Sequence, residues 1–382
     1  MNVLSLFDGI SCGRVALERA GIKVDKYYAS EIDKRAIQVS RNNWPEIIQL
    51  GSITEWHKWG LPRIDIVIGG SPCQGFSIAG GRANFDDPRS KLFFEFYAIL
   101  KHYKPEVFLL ENVLMDSKSC DVISSMLGEL YPNCVEQKQL FKTGRLEPIM
   151  LNSALVSAQN RERLYWTNIP NIQQPKDKGI MLKDILEQDI HTYNGVMVNG
   201  AAIRNQVTRS GIEEQLNIRK DGKSNCVVST FSNRLNCVSW CHQIALIGPG
   251  GQGNRIYSID GKIPTLGSQT GGKAGPGSCL IGCKQIGEAD LKGNDSIRRV
   301  YSPDAKSPTL TTMGGGHREP KISQDNITWR KLTPIECERL QTLPDNYTAG
   351  VSNSARYHAL GNGWTVDVIA HIFKHISLHT PN

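Results

Sequence analysis

The chain reads as an α/β protein, with a doubly wound parallel sheet in its first half and a smaller β-rich domain behind it. Three observations predict this. Short β-branched runs alternate with amphipathic stretches over the first 170 residues, the pattern of βαβ units. Two of those runs close on Gly69-Gly70 and on Glu111-Asn112, at the strand ends where open α/β sheets place their ligands. Beyond about Ile169 the texture changes: residues 171–325 hold 21 of the 36 glycines, among short strand-like runs broken by turn residues.

Taken in order, strands are predicted at Val3 to Leu6, Tyr27 to Ser30, Ile47 to Leu50, Ile64 to Ile68, Val107 to Leu110 and Leu164 to Thr167. Helices are predicted over Gly13 to Ala20, closed by Gly21, and over Lys91 to His102, closed near Pro105. In the glycine-rich region Arg255 to Leu266 recurs as Arg299 to Leu310, with a fainter copy over Arg219 to Val227. Asp-Gly or Asp-Ala between β-type segments is hairpin chemistry, so each copy is expected to form a strand, a tight turn and a second strand. From Thr328 the chain turns helical again. Thr333-Pro334-Ile335-Glu336 offers an N-cap, a proline at the first helical position and a carboxylate in the first turn. Trp364 to Ile376 is apolar enough to pack on a sheet. The expected domains are 1–170, 171–325 and 326–382, the last returning to the first.

The 382 residues suffice for two domains with a substantial core. A net charge of +7 is mildly basic and compatible with a nucleic-acid partner, and residues 171–325 contribute 19 Lys and Arg against 14 Asp and Glu. The N-terminus lacks the basic and apolar regions of a signal peptide, and no stretch approaches the roughly 18 uninterrupted apolar residues of a membrane span. A cytoplasmic protein with reduced thiols is therefore expected, rather than a secreted disulfide scaffold or a membrane protein.

Ser71-Pro72-Cys73-Gln74 directly follows the run Ile64 to Gly70, which puts a thiol at the carboxyl end of a buried strand. A lone cysteine there is most often packing. Here it has company: Glu111-Asn112-Val113 ends a second apolar run, and Gln159-Asn160-Arg161-Glu162-Arg163 leads into a third. A thiol, a carboxylate and two guanidinium groups can then face one cleft. Separately, Phe7-Asp8-Gly9-Ile10-Ser11-Cys12-Gly13 joins the first strand to the first helix, where glycines admit a ligand and a helix N-terminus offers free N–H groups. Glu31, about 20 residues on and just past the second strand, can accept both ribose hydroxyls. The spacing is not G-x-G-x-x-G, so a nucleoside cofactor is indicated without pointing to NAD. Cys237 and Cys241, with Cys279 and Cys283, form two C-x3-C pairs. Their spacing puts each pair on one strand face, so a packing role is expected and no metal.

With these residues assembled, the chain resembles the DNA (cytosine-5) methyltransferases of prokaryotic or phage type. The resemblance runs from Leu4 to about Ile372 in the family's motif order, through Phe7 to Gly13, Ser71 to Gln74, Glu111 to Val113, Gln159 to Arg163, Arg330 to Leu343 and Gly361-Asn362. It implies a Rossmann-like methyltransferase domain, a target-recognition domain over 171–325, S-adenosyl-L-methionine as cofactor, and methyl transfer to C5 of a cytosine in a short duplex DNA sequence. On this resemblance Cys73 adds to C6 of a flipped base, Glu111 acts at N3, Arg163 holds the O2 side and Arg161 orients neighbouring groups. Around the cofactor it implies Phe7, Asp8, Gly9, Ile10, Ser11, Gly13, Glu31, Ile32, Ser52, Ile53, Pro72, Leu92, Asn362 and Trp364. The glycine-rich segment from Gln74 to Ala83 looks like the family's mobile loop, which brings Gln74, Ser77, Arg82 and Arg89 to the DNA. Arg255 and Arg299 are further candidates for DNA contact.

Three positions depart from the family pattern. Ser52 stands where an aspartate is usual, Ile32 where an aromatic stacks on adenine, and Trp364 among positions that are usually small or β-branched. A monomer is expected, and a cognate restriction endonuclease is a candidate partner. An RNA cytosine methyltransferase and a catalytically silent DNA-binding regulator are the alternatives. The long middle region favours duplex DNA over RNA, and intact Cys73, Glu111 and Arg163 argue against the silent reading.

Overall fold

A computed structural model describes residues 1–71, 91–134, 144–188, 283, 285–289, 291, 294–312, 318–323 and 328–376, with strand segments at 195–196, 202–208, 211–217, 243–246 and 255–257. Seven strands form one sheet: β1 (Asn2–Leu6), β2 (Lys26–Ser30), β3 (Ile48–Gln49), β4 (Ile66–Gly70), β5 (Val107–Asn112), β6 (Ile149–Asn152) and β7 (Glu162–Thr167), in the order β3-β2-β1-β4-β5-β7-β6. The first five pair in parallel. β1, β4 and β5 are buried almost end to end, which is why they are legible as continuous apolar runs.

The expectation of a parallel sheet needs one correction at the edge. The Leu164 to Thr167 run lies in β7, which is antiparallel to β5, and β6 is antiparallel to β7. Residues 153–161 between them are too short for the crossover of a dozen or more residues that a parallel pair requires, so the chain returns antiparallel.

The strand order reverses between β1 and β4. The helix after β1, α1 (Cys12–Arg19), leads to β2 on one side, and α2 (Lys34–Asn43) continues to β3. The helix after β4, α3 (Lys91–Tyr103), leads to β5 on the other, followed by α4 (Ser117–Leu130). Right-handed crossovers in opposite directions put α1 and α3 on opposite faces. Side-chain alternation agrees: Leu4, Leu6, Val67, Phe108 and Leu110 pack with Phe93, Phe96, Ile123 and Leu127 from α3 and α4. Their neighbours Val3, Ile66, Ile68 and Leu109 are buried on the opposite face. There α1 comes so close that a Cβ on Gly13 would lie 2.4 Å from Ile68 Cδ1.

The chain divides into two compact units, the first comprising Met1–Ser157, Arg161–Gly179 and Cys337–Asn382, the second Ala158–Asn160 and Ile180–Glu336. The C-terminal helices α7 (Asn353–Asn362) and α8 (Val366–Phe373) belong to the first unit. α8 packs on α1, and its Asp367 binds both Arg19 and Lys178 at 2.7 Å. Glu338, fully buried, accepts from the backbone of Asn346 and Thr348 and from Arg356, fixing the approach to α7.

The second unit contains β8 (Gly195–Val196), β9 (Ala202–Thr208), β10 (Gly211–Asn217), β11 (Gln243–Leu246), β12 (Arg255–Tyr257), β13 (Gln285–Glu288), β14 (Arg299–Tyr301), β15 (Lys321–Ser323) and β16 (Thr328–Lys331), with the one-turn helix α5 (Asp295–Arg298). They form a five-stranded sheet, β13-β14-β15-β16-β8, and two antiparallel pairs, β9 with β10 and β11 with β12. The hairpin expected within the second repeat copy does not form. β14 pairs with β13 and β15, and the later Ser307 bridges Gln159 instead of returning along β14. In the first copy β12 pairs with the preceding β11, while its later half lies outside the described residues, as does the third copy. Thr333 opens α6 (Pro334–Leu340) as the N-cap signal predicts, in a reciprocal box: the Glu336 N–H donates to Thr333 Oγ1 and the Thr333 N–H to Glu336 Oε2.

Candidate active site

Glu111 is the second-last residue of β5, opposite Gly70 on β4 and Tyr165 on β7. Arg163 lies two residues from Tyr165 and therefore projects from the same face of β7. Its Nε stands 2.9 Å from Glu111 Oε1. The N–H is not aligned with that oxygen, so the contact is a Coulombic pair rather than a hydrogen bond. The second oxygen has a different partner: the indole Nε1–H of Trp364 donates to Glu111 Oε2 at 3.1 Å. Both residues are only 9% exposed. Gly70 makes this approach possible, because a Cβ there would sit 2.8 Å from Glu111 Oε2 and 3.0 Å from Trp364 Nε1.

Trp364 is held in turn by the junction between α7 and α8. The buried Arg161 donates through Nη2 to the carbonyls of Gly361 and Gly363 at 3.4 and 3.2 Å. Gln341 Nε2 donates to Leu360 and Gly363, and its Oε1 accepts from the Thr365 hydroxyl. Burial, reinforced by Arg163, pulls the Arg161 guanidinium down to about 10, which leaves it charged at neutral pH. Arg161, expected to orient neighbouring groups, thus grips the turn that carries Trp364. At the end of β4, Asn112 Nδ2 donates to Ser71 Oγ at 3.1 Å, which anchors the residue two places ahead of Cys73 beside the Glu111 strand. Cys73 itself lies outside the described residues, as do Pro72, Gln74, Ser77, Arg82 and Arg89.

The turn from β1 to α1 is tightly wound, with Phe7, Gly9 and Ser11 all at positive φ. For Phe7 and Ser11 that conformation is costly and needs support. Asp8 supplies it from beneath, accepting from the Ser11 hydroxyl at 2.5 Å and the Tyr27 hydroxyl at 2.8 Å, while Tyr347 donates to the Ile10 carbonyl. Glu31 closes the turn from the side: Oε2 accepts from the Gly9 N–H, and Oε1 from the N–H groups of Ile32 and Asp33. A carboxylate has about four acceptor sites, so these three bonds fix Glu31 without exhausting it. Ile32 beside it is 74% exposed, an apolar side chain left open next to a fixed acceptor.

These residues fit a nucleoside, with an acceptor site left for a ribose hydroxyl, an apolar surface for a base and a tight backbone turn. Ile10, Ser11 and Ile53 are buried. The Ser52 hydroxyl accepts from the Thr54 N–H, capping a short helical turn, so it is partly committed. Leu92 packs against the core cluster and Asn362 ends α7.

Burial pushes the Asp8 carboxyl up from 3.8 to about 6, against the opposing hydrogen bonds from Ser11, Ser5 and Tyr27. The folded protein then holds a proton that the unfolded chain releases near pH 4. Stability from this group is complete below pH 4 and is lost as pH rises to 6, by about 3 kcal/mol. Asp8→Asn removes the titration. Denaturant melts should show the variant gaining on the parent by about that amount between pH 4 and 7; a constant difference would refute the buried proton.

Comparison with known proteins decides the identity. A family model, C-5 cytosine-specific DNA methylase, matches residues 1–378. The chain belongs to that family. It is a DNA cytosine-5 methyltransferase, and its methyl donor is S-adenosylmethionine. It is 29% identical to the orphan methyltransferase M.SPRI of Bacillus phage SPR, across 100% of this chain and 98% of that protein. It is 27% identical to the type II methyltransferase M.HhaI of Haemophilus parahaemolyticus, across 98% and 94%. The solved methyltransferase EhMeth of Entamoeba histolytica shares the fold, with a TM-score of 0.55 at 16% identity over 98% of this chain and 97% of that one.

Three positions in this methyltransferase carry more than their sequence signals suggested. Trp364, expected beside the cofactor, hydrogen-bonds Glu111. Gly70 and Gln341 were not singled out, although a double glycine at a strand end signals a close approach. Among the candidates for DNA contact, Arg299 opens β14 and is exposed, and Arg255 opens β12. Cys237, Cys241 and Cys279 lie outside the described residues. Cys283 is half-buried, and burial pushes its thiol up to about 11. No group of three metal-ligating side chains occurs among the described residues, and none of their helices is long and apolar enough to cross a membrane.

Proposed function

We propose that this methyltransferase acts on one short duplex DNA sequence, adding Cys73 to C6 of a cytosine turned out of the helix. The observation that carries the reading is Glu111, a carboxylate with a separate partner on each oxygen, at a strand end beside the strand that leads into Ser71 and Cys73. Cytosine C5 is a poor nucleophile. When the Cys73 thiolate bonds to C6, the C5=C6 electron pair becomes available at C5 and charge builds toward N3. A proton shared between Glu111 and N3 meets that charge, and Arg163 holds the O2 side. The chemistry supplied by bound S-adenosylmethionine is an electrophilic methyl group. Glu31, the Gly9 turn and Ile32 would hold its nucleoside. Once C5 is methylated, loss of its proton to a base restores the C5=C6 bond and expels the Cys73 thiolate.

Extrusion of the base costs roughly a few kcal/mol of stacking. The segment from Gln74 to Ala83 is proposed to close over the DNA and offset that loss, with Ser77, Arg82 and Arg89 on phosphates. The second unit, with Arg255 and Arg299, is proposed to read the sequence, and the enzyme to work as a cytoplasmic monomer. Sequencing 5-methylcytosine in DNA from cells that express the protein should reveal one short methylated context. Duplexes carrying 5-fluorocytosine in that context should trap a covalent adduct, because fluorine cannot leave as a cation. Label transferred only to RNA, or turnover on DNA without trapping, would overturn the reading.

A further inference from the structure

We propose that Trp364 is a positioning residue for catalysis, its indole N–H fixing the Glu111 carboxylate in the orientation that meets the base. The inference rests on the reading that Glu111 works at N3. The 3.1 Å bond joins two residues 253 positions apart, both more than nine-tenths buried. The two oxygens of Glu111 are held unequally. Arg163 attracts Oε1 without an aligned hydrogen bond, whereas Trp364 donates directly to Oε2. Without the indole N–H, the carboxylate is free to rotate toward a better-aligned, bidentate contact with Arg163. The oxygen that should meet N3 would go with it.

The surroundings of Trp364 are built to prevent movement. A Cβ on Gly13 would stand 3.4 Å from its ring, and Gly70 lies against both its Nε1 and Glu111 Oε2. Just ahead of Trp364, a Cβ on Gly363 would stand 3.2 Å from Cys12 Sγ. The carbonyls of Gly361 and Gly363, in the turn just ahead of it, are gripped by Arg161 and Gln341. Arg161 therefore acts at a distance, on the turn that aims Trp364 at Glu111. A buried indole N–H needs some acceptor, and here that acceptor is the carboxylate to which the chemistry is assigned.

Trp364→Phe keeps the aromatic packing and deletes the donor. We expect its single-turnover methyl-transfer rate to fall about tenfold or more, the usual cost of a hydrogen bond to a charged group. The S-adenosylmethionine dissociation constant, measured by titration calorimetry, should stay within about twofold. In a Glu111→Gln background the same substitution should have less than a twofold further effect, because two residues acting through one contact are not additive. An unchanged rate would overturn the proposal, as would a rate loss matched by lost cofactor affinity or an equal loss in the Glu111→Gln background. Gly70→Ala crowds the same pair from β4 and should lower the rate with cofactor affinity kept; wild-type turnover there would also count against the clamp. A fully active Glu111→Gln single variant would instead sink the assignment of Glu111 itself, so the two failures are distinguishable.

Discussion

Replacing Cys73 with alanine should abolish methylation, lowering the single-turnover rate by about 10⁴-fold or more, the scale on which loss of a covalent nucleophile is felt. Cofactor binding should survive. The proposed nucleoside contacts lie at Glu31, Ile32 and the Phe7 to Ser11 turn, where Glu31 is held by the Gly9, Ile32 and Asp33 N–H groups. Nor is a substitute thiol at hand in that turn: Cys12 is buried, and burial pushes it up to about 12, so it is almost wholly protonated at neutral pH. Transfer of labelled methyl groups to DNA, beside calorimetric titration of S-adenosylmethionine, separates the two effects. Residual transfer above about 1% of the parent rate would be incompatible with attack by this thiol. The alanine variant should also form no adduct with 5-fluorocytosine.

Glu111→Gln is expected to slow methyl transfer by about 10²- to 10³-fold, within the range that a positioned proton donor or acceptor contributes. Glutamine has nearly the same shape, and its carbonyl can still accept from Trp364. It cannot share a proton with N3, and it leaves the Arg163 guanidinium facing an uncharged group. The loss should therefore appear in the chemical step and in exchange of the C5 hydrogen, which reports attack at C6 independently of methyl transfer. DNA and cofactor binding should change little. A variant that binds cofactor poorly yet exchanges hydrogen at the parent rate would show that Glu111 belongs to the cofactor pocket instead.

The central strands were legible for a physical reason: β1, β4 and β5 are covered on both faces, so burial writes a continuous apolar run. β6 reads Ile-Met-Leu-Asn with Met150 exposed, and a strand covered on one face at an edge leaves a weaker mark. The direction of β7 is set by the length of its connection, which composition does not reveal. The residues of the candidate site were legible where chemistry demands a residue type, as at Glu31, Glu111 and Arg163. The link from Trp364 to Glu111 was not, since only folding brings together positions 253 apart. The two arginines of Gln159 to Arg163 look equivalent by their spacing. Yet Arg161 precedes β7 and turns to the Gly361 and Gly363 carbonyls, while Arg163 lies within the strand and pairs with Glu111.

The first unit is assembled from three separated stretches, the last beginning at Cys337. On the ribosome this has a temporal meaning. β1 to β7 are complete by Thr167, but Trp364 and the turn gripped by Arg161 emerge roughly 200 residues later, which at about 5–20 residues per second is a delay of some 10–40 seconds. Until then the strand ends around Glu111 lack their indole partner and the α1 face of the sheet lacks α8. On the role proposed for Trp364, a chain that stops short of that residue lacks the group that positions Glu111, so its methyl transfer should be slowed by the order of its own synthesis.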